Sequence, residues 1–420
     1  MEKIVVKGIN ELKGEVNISS AKNSILPIIA ATILCPERIV IDNTPLLEDV
    51  EVICKLLSEL DCDVNILGIT NKLIINTKNI SGIDVNEELI RKMRASFLIM
   101  GPMLSRFGYC KLSMPGGCNI GSRPIDLHLK GFKLLGADII MGHGYVEVRA
   151  KKLKGNRIYL DFPSVGATEN IMMAAVLAEG TTIIENAAEE PEIWDLAQFL
   201  NKMGADIEGA GLGKIEIHGV KTLKGVEYCP IYDRIEAGTF MIAAAITNSK
   251  IKINGVNEEH LRPVIEKLKE GGVVFSNYKN NSIEVDGTHE KYPLDIKTLP
   301  YPGFPTDMQA QMMSLLSVVN GVSVITETVF ENRFMHVSEL QRMGANIKID
   351  GRTAIVEGVN KLTGCAVKAT DLRAGAAMIL SGLVADGITE ISDIYHIDRG
   401  YVNIEEKFRK LGADIYRVNY

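Results

Sequence analysis

The sequence lacks paired cysteines and an excess of basic residues, and each absence excludes a class of protein. Its seven cysteines include no C-x-x-C pair, which argues against a zinc signature and a disulfide framework and predicts free thiols in a reducing compartment. Asp and Glu (53) outnumber Lys and Arg (46), and the net charge of −7 argues against a nucleic-acid-binding protein with a broad basic face. A local basic pocket for a small anion remains compatible with this charge.

Long apolar segments and the common cofactor motifs are also missing. The N-terminus, M-E-K-I-V-V-K-G, has no apolar signal core, and the longest strongly apolar run, 25–35, is too short to span a bilayer. G-A-G-L-G-K lacks the spacing of a phosphate-binding P-loop, and no H-E-x-x-H or other metal spacing occurs. We therefore expect a cytoplasmic protein with no membrane insertion, no metal and no organic cofactor.

A helix–turn–strand pattern recurs along the 420 residues, which are too many for one ordinary domain. Each copy is an amphipathic helix that ends in Leu or Met, a Gly-Ala or related turn, and a short strand, as in L-N-K-M-G-A-D-I. A glycine is suited to the left-handed conformation that ends a helix. The six turn residues, spaced 67–75 apart, are Asp61, Gly136, Gly204, Gly271, Gly344 and Gly412.

Each turn is preceded by a second helix of small and apolar residues, such as A-G-T-F-M-I-A-A-A-I. A helix that is apolar nearly all round is buried. The pattern predicts an α/β fold of six units, each with the order strand, buried helix, strand, amphipathic helix, strands. Two sets of three units would each place three buried helices at a domain centre. A solenoid is the alternative, although solenoid repeats are usually shorter.

Several buried helices are predicted to start with charged residues, which is unusual for a buried element. Capping accounts for Thr168 and Asp371, but it does not account for Lys22, Arg94 or Arg373, since a cation at a helix N-terminus opposes the helix dipole. Further arginines, Arg123, Arg333 and Arg399, follow strands or loops. Arginine binds carboxylate and phosphate bidentately, so the set predicts a small polyanionic substrate. An unrelated scatter of solvated arginines is the alternative.

The stretch S-M-P-G-G-C-N-I-G-S-R-P-I-D is predicted to be a loop because of its proline and glycines. Cys118 lies in its middle, five residues before Arg123. From the spacing alone, a small buried hydrophobic residue is the simpler interpretation of this cysteine.

The sequence resembles the enolpyruvyl transferases over residues 12–401, which is essentially the whole chain. The resemblance is carried by S-A-K-N-S, R-A-S-F-L-I-M-G-P, P-G-G-C-N-I-G-S-R-P-I-D-L-H, F-P-S-V-G-A-T-E-N, Y-P-G-F-P-T-D-M-Q, E-N-R-F, D-L-R-A-G and D-R-G-Y. The cysteine loop is the most specific of these and is typical of the branch that acts on a sugar nucleotide. Ser20 departs from the family, which more often has Gly there, and we expect a small backbone effect.

The resemblance implies a two-domain inside-out α/β barrel of six βαβαββ repeats, three per domain. It implies one domain over 22–230, which carries the Cys118 loop, and a second over 1–21 and 231–420. The active site would lie in the cleft between them.

The resemblance also implies the reaction. The enolpyruvyl group of phosphoenolpyruvate would pass to the 3-hydroxyl of UDP-N-acetylglucosamine with release of phosphate, the first committed step of peptidoglycan precursor synthesis. One acid and one base are needed, because C3 of phosphoenolpyruvate gains a proton and the sugar hydroxyl loses one.

By family position, Cys118 is the acid, the site of a covalent pyruvate adduct and the target of the epoxide fosfomycin, and Asp307 is the base. The catalytic set also includes Lys22 and Arg399. Phosphoenolpyruvate binding is assigned to Lys22, Asn23, Arg123, Arg333, Asp371, Arg373 and Arg399. Binding of UDP-N-acetylglucosamine is assigned to Arg94, Arg123, Pro124, Ile125, Asp126, Leu127, Ser164, Val165, Gly166, Asp307 and Val329. Two alternatives stay open: a transferase with another acceptor, and a non-catalytic protein that binds a sugar nucleotide.

Overall fold

The computed structural model describes residues 2–8, 11–68, 70–80, 94–114, 120–121 and 124–419, with Arg94 described by its backbone only. Two compact units are present. The middle unit comprises Ser20–Gly117 and Arg123–Ile231. The terminal unit comprises Met1–Ser19 and Tyr232–Tyr420, together with the described part of Cys118–Ser122.

Each unit has three central helices, which are flanked by outer helices and sheets. In the middle unit, the central helices are α1 (Lys22–Ala31), α3 (Met100–Phe107, after the 3-10 helix Arg94–Ile99) and α5 (Val165–Ala175), and the outer helices are α2 (Glu48–Glu59), α4 (Asp126–Leu134) and α6 (Pro191–Lys202). In the terminal unit, the central helices are α7 (Arg234–Ile246), α9 (Gln309–Leu316, after the 3-10 helix Thr306–Met308) and α11 (Leu372–Val384). The outer helices of this unit are α8 (Glu258–Glu270), α10 (Val337–Arg342), α12 (Tyr395–Asp398) and α13 (Ile404–Lys410).

Six small sheets, three per unit, complete the architecture of the described chain. In the middle unit, the first sheet has the strand order β13 (Glu227–Tyr228), β3 (Ile39–Ile41), β5 (Lys72–Asn76), β4 (Asp63–Leu67). The second has the order β6 (Tyr109–Ser113), β8 (Tyr145–Arg149), β7 (Asp138–Met141). The third has the order β11 (Asp206–Glu208), β12 (Lys214–His218), β10 (Thr181–Glu185), β9 (Arg157–Tyr159). In the terminal unit, the first sheet has the strand order β15 (Val274–Lys279), β16 (Ser282–Asp286), β14 (Lys250–Asn254), β2 (Lys13–Asn17). The second has the order β17 (Asp295–Lys297), β18 (Val322–Thr326), β20 (Thr353–Glu357), β19 (Asn346–Asp350). The third has the order β21 (Ala366–Lys368), β22 (Ile388–Ser392), β1 (Glu2–Lys7), β23 (Ile415–Asn419).

The central helices are buried over most of their length, as their composition requires. All thirteen residues of α7 are buried, including Arg234 and Glu236 at its start. Small side chains such as Ala and Gly let these helices approach one another while the apolar faces of the sheets cover them. The predicted α/β fold, with six repeats in two sets of three, is confirmed.

Strands from distant parts of the sequence close two sheets of the terminal unit. β2 pairs in parallel with β14, with Lys13 opposite Lys250. β1 lies between β22 and β23, antiparallel to both. β1 and β2 are therefore built into sheets whose other strands lie between residues 250 and 419.

Two local predictions are wrong. Gly271 has φ −77°, and the left-handed turn falls on Gly272 (φ +91°), because the Gly271 N–H still bonds to the carbonyl of Lys267 in the last turn of α8. Thr168 does not cap the third buried helix. α5 begins at Val165 with Ser164 as its cap, whose hydroxyl accepts from the Ala167 N–H, and the Thr168 hydroxyl instead accepts from the Ala188 N–H.

The other five turn residues have positive φ as predicted: Asp61, Gly136, Gly204, Gly344 and Gly412. None of the helices in the described part of the chain combines the length and the apolar character needed to cross a membrane.

Candidate active site

Asp307 lies between two buried arginines of the terminal unit. Its Oδ1 accepts from Arg333 Nη2 at 2.9 Å, and its Oδ2 accepts from Arg373 Nη2 at 3.0 Å. Arg333 and Arg373 are each 3% exposed. The three residues come from the 3-10 helix before α9, the segment before α10 and the first turn of α11. Two repeats of the terminal unit thus contribute to one cluster.

The two guanidinium groups control the charge of Asp307. Burial alone would raise the pKa of this carboxyl, but the positive charges of Arg373 and Arg333, together with their hydrogen bonds, hold it well below its usual range. Asp307 in turn raises the pKa of Arg373 against the effect of burial. The cluster carries one negative and two positive charges, and its net charge is +1.

Each arginine also has a second buried terminal nitrogen besides the one that bonds to Asp307. Among the described residues, Nη1 of Arg333 and Nη1 of Arg373 have no hydrogen-bond partner. A buried N–H without a partner costs free energy, and a guanidinium is well suited to bind an oxyanion with two parallel N–H groups. The cluster is therefore able to bind a carboxylate or a phosphate beside Asp307.

Aromatic rings lie near both guanidinium groups. Arg373 is 5.6 Å from the ring centroid of Tyr401, and Arg333 is 5.7 Å from that of Phe330. The Tyr401 hydroxyl is in turn 2.9 Å from that of Thr239 on α7. These contacts restrict the arginine side chains and leave less conformational entropy to lose when an anion binds.

Asp371 is the N-cap of α11, and its Oδ1 accepts from the N–H groups of Arg373 and Ala374 at 2.8 and 3.1 Å. Arg399 follows α12 and is half-buried. Burial is the main reason that the pKa of His396 is low; the positive charge of Arg399 lowers it further, and the negative charge of Asp371 opposes this. Both predicted residues thus lie near the same histidine.

Val329 lies in the segment between β18 and α10. Its N–H donates to the carboxylate of Glu327 at 2.8 Å. The structure therefore brings Asp307, Arg333, Asp371 and Arg373 together, with Arg399 and Val329 on neighbouring segments of the same unit.

In the middle unit, Lys22 forms a buried ion pair with Asp49. Its Nζ lies 2.7 Å from Asp49 Oδ2, and the two side chains are 10% and 4% exposed. Lys22 is the first residue of α1, so the Asp49 carboxylate offsets the unfavourable position of a cation at a helix N-terminus. Asn23 is half-buried beside it. The Ser20 hydroxyl accepts from Asn43 Nδ2 at 2.9 Å, so the departure from glycine adds a contact.

The starts of α4 and α5 lie next to each other in the middle unit. A side chain at Gly166 would contact the His128 ring at 3.3 Å, and the His128 ring hydrogen-bonds to Asn170. Of the residues assigned to the sugar nucleotide, Pro124 and Asp126 are exposed, Ile125 is buried, and Leu127, Ser164, Val165 and Gly166 are half-buried. Arg94 begins a 3-10 helix.

Two central predictions, Cys118 and Arg123, lie outside the described residues. The six described cysteines are free thiols: Cys35, Cys54, Cys62 and Cys110 are buried, Cys365 is half-buried and Cys229 is exposed.

Sequence reasoning missed the partners of the predicted residues. Asp49, Glu327, His336 and Tyr401 each contact or lie beside a site residue, and the first three belong to no recognisable spacing. Tyr401 could have been found from the D-R-G-Y motif, where it lies two residues after Arg399.

Comparisons with known proteins show the family of the chain. A family model described as EPSP synthase (3-phosphoshikimate 1-carboxyvinyltransferase) matches residues 6–408. The chain is 67% identical to UDP-N-acetylglucosamine 1-carboxyvinyltransferase 2 of Clostridium tetani and 65% identical to UDP-N-acetylglucosamine 1-carboxyvinyltransferase 1 of Clostridium acetobutylicum, with 100% of each chain covered in both cases.

Solved structures show the same fold. The enolpyruvyl transferase NikO from Streptomyces tendae matches with a TM-score of 0.90 at 24% identity, covering 100% of this chain and 99% of that one. EPSP synthase from Acinetobacter baumannii matches with a TM-score of 0.76 at 17% identity, covering both chains fully. The chain therefore belongs to the EPSP synthase (3-phosphoshikimate 1-carboxyvinyltransferase) family, in which it shares more than half of its residues with UDP-N-acetylglucosamine 1-carboxyvinyltransferases.

Proposed function

We propose that this protein is a transferase that moves the enolpyruvyl group of phosphoenolpyruvate to the 3-hydroxyl of UDP-N-acetylglucosamine and releases phosphate. The observation that carries the proposal is the Arg333–Asp307–Arg373 cluster, in which a carboxylate and two unused guanidinium N–H groups lie side by side. The full-length similarity to enzymes named for this reaction supports the choice of substrates. The product is the first committed precursor of peptidoglycan.

The reaction needs a base beside an anion site. Phosphoenolpyruvate carries a carboxylate and a phosphate, and UDP-N-acetylglucosamine adds a diphosphate, so binding both requires several cations. The same cations weaken a nearby base, since the pKa of Asp307 is held low in the free protein. An anion bound to the two free Nη1 groups would offset this positive charge and raise the basicity of Asp307. Asp307 then accepts the hydroxyl proton only when substrate is present.

The acid of the proposed reaction is Cys118. It protonates C3 of phosphoenolpyruvate, which makes C2 electrophilic, and the sugar oxygen then attacks C2. The C2–O bond to phosphate then breaks and C3 loses a proton to the Cys118 thiolate, which forms the enol ether of the product.

The remaining roles follow the family positions. We assign phosphoenolpyruvate binding to Lys22, Asn23, Arg123, Arg333, Asp371, Arg373 and Arg399, and a catalytic part to Lys22 and Arg399. We assign the sugar nucleotide to Arg94, Arg123, Pro124, Ile125, Asp126, Leu127, Ser164, Val165, Gly166, Asp307 and Val329. The proposal includes two domains, 22–230 and 1–21 with 231–420, with the active site in the cleft between them. The enzyme acts in the cytoplasm on these two small molecules.

The test measures phosphate release from phosphoenolpyruvate with and without UDP-N-acetylglucosamine, and identifies the enolpyruvyl product by mass. We expect release that depends on the sugar nucleotide and falls by at least about a hundredfold in Cys118→Ala, in line with the loss of a proton donor. Cys229→Ala, which removes an exposed thiol, is the matched control and should keep full activity. Binding of the sugar nucleotide without phosphate release, or release with another acceptor only, would contradict the proposal.

A further inference from the structure

A buried glutamate, Glu327, connects three segments around the Asp307 cluster. It follows β18 directly and is 1% exposed. Its carboxylate accepts four hydrogen bonds, two from threonine hydroxyls and two from backbone N–H groups. It forms no ion pair with any described Lys or Arg.

The two carboxylate oxygens have different partners. Oε1 accepts from the Thr298 hydroxyl at 2.8 Å and from the N–H groups of Val329 and Phe330 at 2.8 and 3.1 Å. Oε2 accepts from the Thr306 hydroxyl at 2.9 Å. One side chain thus joins the end of β17, the 3-10 helix that carries Asp307, and the loop that leads to Arg333.

This connection determines where Asp307 and the Val329 loop lie relative to each other. Thr306 is adjacent to Asp307 in the 3-10 helix Thr306–Met308. Phe330 lies beside the Arg333 guanidinium, so the N–H bonds to Glu327 also restrict the segment that delivers Arg333. Thr298 strengthens the arrangement by accepting from the Thr328 N–H at 2.9 Å.

A charged carboxylate is needed because all four partners donate. An unpaired buried carboxylate is costly, and four donors supply the compensation that a cation would otherwise give. A glutamine of the same size keeps one acceptor oxygen and replaces the other with an NH2 group, so at least one of the four bonds must reverse or break.

We infer that Glu327 is a positioning residue for the reaction: through Thr306 it holds Asp307 in place, and through the Val329 and Phe330 N–H groups it holds the loop that carries Val329 and Arg333. This inference rests on the proposed function for its catalytic consequence. Its structural content, the connection of the two segments, stands independently of that function.

The first experiment is steady-state kinetics of Thr306→Val, which removes only the hydroxyl that joins Glu327 to the Asp307 segment. We expect kcat to fall at least tenfold with the KM for UDP-N-acetylglucosamine changed less than threefold, and we expect Thr306→Ser to restore most of the activity. Glu327→Gln should lower kcat and also raise this KM, since it affects both segments. The double variant should be no more than about twice as slow as Glu327→Gln, because both changes act on the bond between residue 327 and Thr306.

Thr288→Val is the matched control. Its hydroxyl donates to the Asp286 carboxylate at 2.7 Å, the same type of bond in the same unit but on an exposed turn. Its kcat should stay within twofold of the wild type. An equal loss in Thr288→Val, or a kcat for Thr306→Val within twofold of an active wild type, overturns the inference.

Hydrogen–deuterium exchange separates this inference from the proposed function. We expect peptides that cover 301–310 in Thr306→Val, and 327–333 in Glu327→Gln, to exchange at least tenfold faster than in the wild type, with peptides of the middle unit unchanged. If the wild type releases no phosphate, the proposed function fails and the exchange data alone decide the positioning role. Unchanged exchange in both peptides then rejects it.

Discussion

Arg417 holds Asp398 through two hydrogen bonds, from Nη2 to Oδ1 at 2.7 Å and from Nη1 to Oδ2 at 2.9 Å. The same guanidinium donates from Nε to Glu405 at 2.9 Å. These bonds, Asp398 first, raise the pKa of Arg417 against the effect of burial. Since Asp398 directly precedes Arg399, the last strand fixes the segment that carries a proposed phosphoenolpyruvate-binding residue.

Arg417→Ala should therefore weaken both stability and substrate binding. We expect a loss of about 1–3 kcal/mol in the free energy of unfolding, because charged hydrogen-bond acceptors lose their partner in a partly screened site. The KM for phosphoenolpyruvate should rise. Urea unfolding and steady-state kinetics measure the two effects. Arg409→Ala, which removes an exposed pair with Glu406, should leave both within error.

Asp307→Asn tests the proposed base while keeping the shape of the side chain. We expect kcat to fall by about 10²–10⁴, the usual contribution of a general base. The variant also leaves the positive charges of Arg333 and Arg373 buried together, so its melting temperature should fall. Phosphoenolpyruvate, which supplies negative charge, should raise the melting temperature of the variant more than that of the wild type. Equal shifts would show that the anion does not bind at this cluster.

His336 makes stability depend on pH below neutrality. It is 1% exposed, and burial lowers its pKa to about 4, with the charge of Asp371 opposing the shift and that of Arg333 adding to it. Between pH 6.5 and 4 the unfolded chain binds a proton at this residue and the native chain does not. Stability therefore falls as the pH falls through this window, by up to about 1.4 kcal/mol per pH unit from this residue.

His336→Gln should lose this part of the slope and behave like the wild type above pH 7. Circular dichroism is the suitable probe, because the one tryptophan, Trp194, lies in the middle unit. An identical slope for both proteins between pH 6.5 and 5 would mean that His336 takes up its proton in the native state.

The Lys22–Asp49 pair allows a double-mutant cycle. Lys22→Met leaves a buried carboxylate without its cation, and Asp49→Leu leaves a buried ammonium without its anion, so each should cost about 3–5 kcal/mol. The double variant should lose less than the sum of the two, since neither charge is then stranded. Trp194 fluorescence reports on this unit. Additive losses would show that the two charges do not depend on each other.

Fosfomycin should alkylate Cys118, the thiol assigned as the proton donor. Intact-mass measurement and peptide mapping would show one adduct in the wild type and in Cys229→Ala, and none in Cys118→Ala. An adduct on any other cysteine would count against the assignment of Cys118.

The sequence was informative wherever a local rule applied. The buried helices follow from their composition, and Asp371 caps α11 as its residue type and position suggested. Helix boundaries were harder to predict, because Ser164 and Thr168 are equally good N-caps by residue type. Only the packing of the fold brings the Ala188 N–H to the Thr168 hydroxyl, which accepts a hydrogen bond from it. Gly271 and Gly272 are a similar case, because either could end α8.

The site was predictable as a set of residue types and not as a set of pairs. Asp49 is 27 positions from Lys22, and Arg373 is 66 positions from Asp307, so their contacts depend on how the repeats pack. The family motifs identified the residues of the cluster. They carried no information about Glu327, because its role depends on four donors from three segments.

The pairing of β1 with β22 and β23, and of β2 with β14, affects the order of events during synthesis. While the ribosome is making residues 20–231, the partners of the first two strands do not yet exist, and β1 leaves the apolar side chains of Ile4, Val5 and Val6 without their native cover. The described strands of the middle unit, by contrast, have all been made once Tyr228 is added. The terminal unit is complete only with its last strand, so the nascent chain carries an aggregation-prone segment for most of translation. Chaperone demand should therefore arise from β1, whose native partners β22 and β23 are the last strands to be made.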